Sequence, residues 1–97
     1  MIELHVSLEP TAGNKEKLEQ LFRTRFVPAI KKRPGFVRVN LLKRSDAVRE
    51  YQLCLSFETE ALRLQWVACD DHQEVWPVLS GLCQRASWRG FDVIPQD

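Results

Sequence analysis

The sequence lacks an excess of charge of either sign. Its 97 residues include 14 Lys and Arg against 13 Asp and Glu, which gives a formal net charge of +1. A general nucleic-acid-binding protein carries a basic stripe, and a polybasic membrane anchor needs clustered Lys and Arg. The balanced charge argues against both classes. No apolar run approaches the roughly 18–20 residues that a membrane-spanning helix requires.

Cysteine is also scarce. Cys54, Cys69 and Cys83 are odd in number and have no CxxC spacing, so the sequence predicts neither a disulfide framework nor a zinc site. Residues 1–5 (MIELH) lack the basic and long apolar regions of a signal peptide. Together these features predict a reducing, cytoplasmic location.

Motifs that bind common cofactors are missing as well. The sequence has no GxGxxG, P-loop or GxSxG motif. Its two histidines, His5 and His72, are too far apart for an HExxH-type metal spacing. We therefore predict that the protein needs neither a metal nor an organic cofactor.

What the sequence does contain is a regular alternation of apolar and polar residues, which indicates half-buried β-strands. In the second predicted strand, for example, Val37, Val39 and Leu41 share the apolar face. The strand order, with helical patterns after the first and third strands, predicts an α+β, ferredoxin-like fold: a four-stranded antiparallel sheet with helices on one face. We expect a single domain over residues 1–97. The predicted strands cover residues 2–8, 36–44, 51–57 and 88–94, and a polar hairpin loop covers residues 45–48.

Two helical regions connect these strands. Asn14 is a predicted N-cap for the first, and Pro28 should kink it because proline lacks a backbone donor. Thr59 is a predicted N-cap for the second region, which should break near Cys69. A capping box beginning at Asp71 would then start another helix.

The sheet face opposite the helices is predicted to be polar. A domain of this size buries only a modest fraction of its surface on folding, so additional burial would stabilise it. If the alternation holds, a second copy packed on this face would bury it, and we expect a homodimer. The predicted open face carries His5, Ser7, Asn40, Gln52, Cys54 and Ser56.

The densest group of unusual side chains surrounds the predicted helix break. Trp66, His72 and Trp76 place two indoles and an imidazole there. A broken helix cannot pack flush on a sheet, so a cavity beneath it is plausible. Indoles suit flat aromatic ligands, and an imidazole can act as a general base. The simpler alternatives are core or interface packing for the two tryptophans and a surface or capping role for His72. A structural role is also open for His5.

Several segments resemble the antibiotic biosynthesis monooxygenase (ABM) domain family. The resemblance rests on FVPAI at residues 26–30, RPGF at 33–36, Phe57-Glu58, and residues 66–72. It implies a ferredoxin-like domain that pairs into a dimeric α+β barrel. It also implies a cofactor-independent monooxygenase acting on quinol-like or polycyclic aromatic molecules.

The resemblance suggests roles for individual residues. Trp66 would stack on or hydrogen-bond the substrate, His72 would accept a proton, and Asn40 or Arg38 would polarise a ring oxygen. His5 and Trp76 are further candidate substrate-binding residues.

Haem-degrading relatives resemble one another in a strand-one Asn and in a His about ten residues after the helical Trp. Here position 76 is Trp and the first strand has no Asn, which disfavours haem degradation. A noncatalytic ligand-binding or structural dimer and a small-molecule isomerase remain the alternatives. Convergence of Trp66, His72 and a polar strand residue on one cavity would favour catalysis.

Overall fold

The sheet has the strand order β2-β3-β1-β4, and all of its neighbouring strands are antiparallel. This order in a computed structural model confirms the predicted ferredoxin-like α+β fold. The structure describes residues 1–46 and 49–96, so part of the predicted loop at 45–48 lies outside the described residues. The elements are β1 (Ile2–Pro10), α1 (Lys15–Leu21), a π-helical segment (Phe22–Phe26), α2 (Val27–Lys31), β2 (Phe36–Lys43), β3 (Tyr51–Phe57), α3 (Glu60–Ala68), α4 (Asp70–Gly81) and β4 (Cys83–Asp92).

The alternating apolar residues of the central strands form the core beneath the helices. Val6 and Leu8 of β1 and Leu53 and Leu55 of β3 are each at most 3% exposed. In β2 the predicted alternation is wrong at one position. Val37 lies in a β-bulge between the paired residues on either side of it, and it is 41% exposed rather than in the core. The extra residue of a bulge is left unpaired and shifts the strand's register.

The first helical region is continuous but irregular. The expected distortion at Pro28 takes the form of a π-helical turn, residues Phe22–Phe26, immediately before α2. Proline has no N–H and its ring collides with the carbonyl four residues earlier, so a widened turn relieves both problems. The prediction that the Asn14 side chain caps α1 is wrong. Its amide instead donates to the Thr11 hydroxyl and the Leu82 carbonyl.

The second helical region breaks where predicted. Thr59 caps α3 by accepting a hydrogen bond from the Leu62 backbone N–H at 3.2 Å. Cys69 then adopts extended backbone angles (φ −76°, ψ 157°) between α3 and α4. The predicted capping box at Asp71 is wrong because α4 begins one residue earlier, at Asp70. Asp71 forms an ion pair with Lys32 of the neighbouring helical region instead, at 3.3 Å.

The last strand begins earlier than predicted. β4 runs over Cys83–Asp92 rather than residues 88–94 and pairs with the whole length of β1. Most of its side chains are exposed, including Trp88 at 64%. An edge strand open to solvent on both faces imposes no alternation on its sequence, which is why its first half was missed.

Gly35 packs against the second helical region at a positive φ of 81°. A Cβ built there would lie 2.9 Å from the Leu62 Cβ and closer still to another Leu62 carbon. We expect Gly35→Ala to lower the free energy of unfolding by about 1–3 kcal/mol more than Gly13→Ala does, because its added methyl group collides with Leu62 besides straining the positive-φ backbone. Chemical denaturation would measure the loss. Gly13→Ala is the matched control, since Gly13 has a φ of 85° with no atom within 4 Å of the added carbon. Equal losses in both variants would contradict the proposed clash with Leu62.

Candidate active site

A cavity of about 330 Å³ lies between the sheet and the broken helix. Aliphatic and aromatic side chains form most of its wall, and a few polar groups reach into it, which is the usual composition of a small-molecule site. The lining residues are Leu4, Val6, Phe26, Leu53, Leu55, Arg63, Trp66, Val67, His72, Gln73, Trp76 and Trp88.

The helix break brings Trp66 and His72 together in this cavity. In one continuous helix, residues six apart would lie about 120° apart around the axis and about 9 Å along it. The extended backbone of Cys69 instead changes the direction of the chain between α3 and α4 and brings the two side chains together. The two rings meet edge to face, with centroids 5.0 Å apart and an interplanar angle of 88°.

Two further aromatic rings fix this pair. Phe26, at the end of the π-helical segment, meets Trp66 edge to face at 5.7 Å. Trp76 lies one helical turn after His72 and stacks on it at 6.3 Å with an angle of 21°. Trp66 is only 1% exposed, so the ring against His72 is firmly held.

The surroundings of His72 favour its neutral form. Burial, and then the positive charge of Arg63, lower the pKa of His72 below 6.5. Its Nδ1 atom is buried and has no partner among the described residues. A buried polar atom without a partner is costly in a folded protein and calls for an explanation. That cost is smaller for the neutral imidazole than for the charged form, in line with the lowered pKa of His72.

Arg63 is a cavity residue that the sequence analysis missed. It lies three residues before Trp66 on α3, so both side chains point to one face of the helix. Its side chain is 12% exposed, and its Nε contacts the Glu60 carboxylate. The available signal was this spacing, but a charged residue within a helical pattern is most often solvent-exposed and does not by itself indicate a cavity.

The remaining sequence candidates do not join this cavity. His5, Arg38 and Asn40 lie on the opposite face of the sheet, where His5 and Asn40 each pair with Cys54. Side chains of adjacent strand positions point to opposite faces, so polar residues that alternate with the core cannot reach it. Among the described residues, the polar side chains that line the cavity with Trp66 and His72 come from the helices, Arg63 from α3 and Gln73 from α4, and not from the strands.

The open face has its own charged cluster, centred on Glu3. The Glu3 carboxylate accepts hydrogen bonds from His5 at 2.6 Å, Arg38 at 2.8 Å and Ser56 at 3.2 Å. The bonds from His5 and Arg38 lower the pKa of Glu3 from 4.5 to about 2. These contacts join three neighbouring strands across the sheet.

This cluster predicts an acid-dependent loss of stability. A lowered pKa in the folded state stabilises the protein above pH 4.5, and this contribution disappears as the pH falls towards 2. Glu3→Gln should therefore be less stable than the parent at pH 7 and lose less stability between pH 5 and 2. Urea unfolding at several pH values would measure how the free energy of unfolding changes with pH in the parent protein and in Glu3→Gln. Glu58→Gln, at an exposed position, is the control. Parallel slopes for the parent and Glu3→Gln would contradict the assignment.

The described residues were compared with the requirements of a metal site, a membrane-spanning helix and a disulfide. Residues 1–46 and 49–96 contain no cluster of three or more His, Cys, Asp or Glu side chains that could hold a metal ion. Within the same ranges, no helix has the length and apolar character needed to cross a membrane. Cys54, Cys69 and Cys83 are free thiols.

Comparison with solved structures identifies the fold. SnoaB, a cofactor-independent oxygenase from Streptomyces nogalater, superposes with a TM-score of 0.88 at 17% identity, covering 98% of this chain and 94% of SnoaB. The chain has the fold of the antibiotic biosynthesis monooxygenases. A candidate ABM protein from Deinococcus radiodurans gives a TM-score of 0.87 at 12% identity, with 100% and 96% of the two chains covered. Another from Caulobacter crescentus gives 0.86 at 10% identity, with 97% and 90% covered.

Neither a model of a known protein family nor a curated protein matches the sequence. At these identities the likeness to ABM structures establishes the fold, and the chemistry must be argued from the cavity itself.

Proposed function

We propose that this protein is a cofactor-independent monooxygenase acting on a flat, quinol-like or polycyclic aromatic molecule, with His72 as the general base. The observation that carries the proposal is the His72 imidazole, whose pKa is lowered, in the wall of an apolar cavity beside two indole rings. A neutral imidazole can accept a proton from a bound substrate. SnoaB, described as a cofactor-independent oxygenase, has the same fold, which adds support.

The aromatic wall suits a flat substrate. Trp66 and Trp76 contact His72 from two directions, edge on and stacked. A flat ring that packs against this aromatic wall from the cavity would lie beside the imidazole. In this proposal Trp66 and His72 are catalytic residues and Trp76 binds the substrate. The apolar lining would exclude bulk water and protect a reactive anion from reprotonation.

The chemistry requires an electron-rich anion because ground-state oxygen is a triplet and reacts poorly with closed-shell molecules. His72 takes a proton from a ring CH₂ group or its enol, and the anion gives one electron to O₂. The resulting radicals combine to form a C–O bond and, with return of the proton, a hydroperoxide. Loss of water leaves a carbonyl, so that R₂CH₂ and O₂ give R₂C=O and H₂O.

Oxygen consumption tests the proposal directly. Chelator-treated protein is incubated with a panel of quinols and anthrones, alongside a Trp66→Ala/His72→Ala double variant. We expect substrate-dependent oxygen uptake by the parent protein only. Equal rates for the two proteins across the panel would overturn the catalytic site. Ligand binding without oxygen uptake would instead favour the alternative of a noncatalytic ligand-binding protein.

We also propose that the protein forms a homodimer through the open face of the sheet. Helices cover only the other face. A second sheet packed on the open face would therefore bury the polar cluster around Glu3. Sedimentation velocity at micromolar concentration tests this assignment, and a monomeric mass would contradict it. The free thiols of the described cysteines support the further proposal of a reducing, cytoplasmic location.

A further inference from the structure

We propose that Gln73 is a positioning residue for His72, because its side-chain amide ties the start of α4 to the end of α3 and so fixes the imidazole in the cavity wall. The amide Nε2 donates a hydrogen bond to the Val67 carbonyl at 2.7 Å. This inference rests on the proposed function, in which His72 is the base, and it names the residue that keeps the base beside Trp66.

The first support is the carbonyl to which Gln73 binds. A helix leaves its last four carbonyls without donors from its own backbone, and Val67 lies in the last turn of α3. The backbone N–H of Cys69 binds the neighbouring Trp66 carbonyl at 3.1 Å. The Val67 carbonyl finds a donor across the break, in a side chain of α4. The amide of Gln73 therefore satisfies the end of one helix from the start of the next.

The second support is that this bond crosses the helix break. Among residues 1–46 and 49–96, it is the one side-chain hydrogen bond that joins α3 to α4, and no ion pair of those residues does so. Along the chain, Cys69 alone connects the two helices. A single connecting residue leaves the angle between two helices adjustable, since its backbone has two soft torsions. A second attachment between the helices restricts that angle.

The third support is the place of the bond beside the two rings assigned to catalysis. Gln73 directly follows His72 in the sequence, and Val67 directly follows Trp66. The bond therefore spans the same gap as the edge-to-face contact between the two rings, whose centroids are 5.0 Å apart. A rotation at Cys69 that moves α4 away from α3 would lengthen both contacts.

The other contacts at the start of α4 do not attach it to α3 by a polar side chain. Trp76 stacks on His72 from the same helix, so it moves with the imidazole. The ion pair of Asp71 with Lys32, at 3.3 Å, attaches the start of α4 to the first helical region. Gln73 is thus the hydrogen-bonding side chain that holds the helix of His72 to α3.

The contact between the rings gives a test that needs no substrate. Gln73→Met removes the amide, keeps a side chain of similar length and introduces no charge. We expect the nuclear Overhauser peaks between the ring protons of Trp66 and His72 to weaken severalfold in this variant. Parent intensities in Gln73→Met would overturn the inference.

Gln84→Met is the matched control for that measurement. Gln84 is exposed, as Gln73 is, and its Nε2 donates to the Glu9 carboxylate at 2.6 Å, between β4 and β1. Its replacement removes an equivalent amide away from the cavity and should leave the ring-to-ring peaks unchanged. Equal weakening in both variants would overturn the assignment to Gln73.

The ionisation of His72 separates positioning from a merely structural role. Burial, and then the charge of Arg63, lower the pKa of His72. In Gln73→Met the imidazole should be more open to water, so its pKa should rise towards 6.5 in an NMR titration. Methionine is neutral and leaves the nearby charges of Arg63, Asp70 and Asp71 in the chain. An unchanged pKa together with a lowered urea midpoint would show a structural cap and overturn the positioning role.

Oxygen uptake separates this inference from the proposed function. With the best substrate of the panel, Gln73→Met should lower kcat by up to about 100-fold, because a small displacement of a reacting group is costly. Gln84→Met should keep the parent kcat. Weakened ring contacts in Gln73→Met without any oxygen uptake by the parent protein would support the tie between the helices and overturn the monooxygenase. Oxygen uptake by the parent, with the ring contacts and kcat unchanged in Gln73→Met, would overturn the role of Gln73 alone.

Discussion

Replacing His72 with glutamine is expected to lower the rate of substrate-dependent oxygen uptake by about 100- to 10,000-fold, the range typical of a lost general base. Glutamine is polar and similar in reach, but it cannot accept the substrate proton. Single-turnover oxygen uptake with the best substrate of the panel would measure the change. His5→Gln makes the same substitution on the opposite sheet face and should leave the rate within about twofold of the parent protein.

The pH dependence of the oxygen-uptake rate gives a second test of the role of His72. His72 must be neutral to act as a base, and burial and Arg63 lower its pKa below 6.5. The acid limb of the rate should therefore be centred below pH 6.5. His72→Gln should lose this acid limb. An acid limb centred above pH 6.5, or one that persists in the variant, would contradict the role assigned to His72.

Replacing Trp66 with alanine is expected to lower the free energy of unfolding by about 3–5 kcal/mol, as for other large-to-small changes in protein cores. Trp66 is 1% exposed and forms edge-to-face contacts with both Phe26 and His72. The truncation would enlarge the cavity and free the imidazole. Urea unfolding of the parent and the variant would measure the difference.

Trp88→Ala provides the matched control for that loss. Trp88 also lines the cavity, but it lies on the edge strand and is 64% exposed. Its removal should cost well under half as much stability as the removal of Trp66. Equal losses would show that Trp66 does not form part of a packed core. Trp66→Phe should recover part of the stability, since it keeps an aromatic ring against Phe26.

The sequence predicts best the strands that bury one face, because their apolar and polar residues alternate. β3 is fully predicted, from Tyr51 to Phe57, because one of its faces lies under the helices and its apolar residues alternate. The start of β4 could not be predicted, since its edge position leaves both faces open to solvent. The bulge at Val37 could not be predicted either, because a β-branched residue within an alternating run favours a regular strand.

The candidate site was predictable where it depended on a local break in the chain. Trp66 and His72 flank a predicted helix end, and that break does bring them together. Arg63 was not predictable as a cavity residue, because its burial depends on how α3 packs over the sheet. The role predicted for Asn40 came from the resemblance, and the strand register places this residue on the sheet face opposite the cavity.

The extended backbone at Cys69 places the two halves of the helical cavity wall on different helices. The cation and the deeper indole lie on α3, whereas the imidazole and the outer indole lie on α4. Two torsion angles at one residue therefore set the gap between the proton acceptor and the positive charge. Substitutions around that joint could widen or narrow the slot for ligands of another width while every wall residue stays the same.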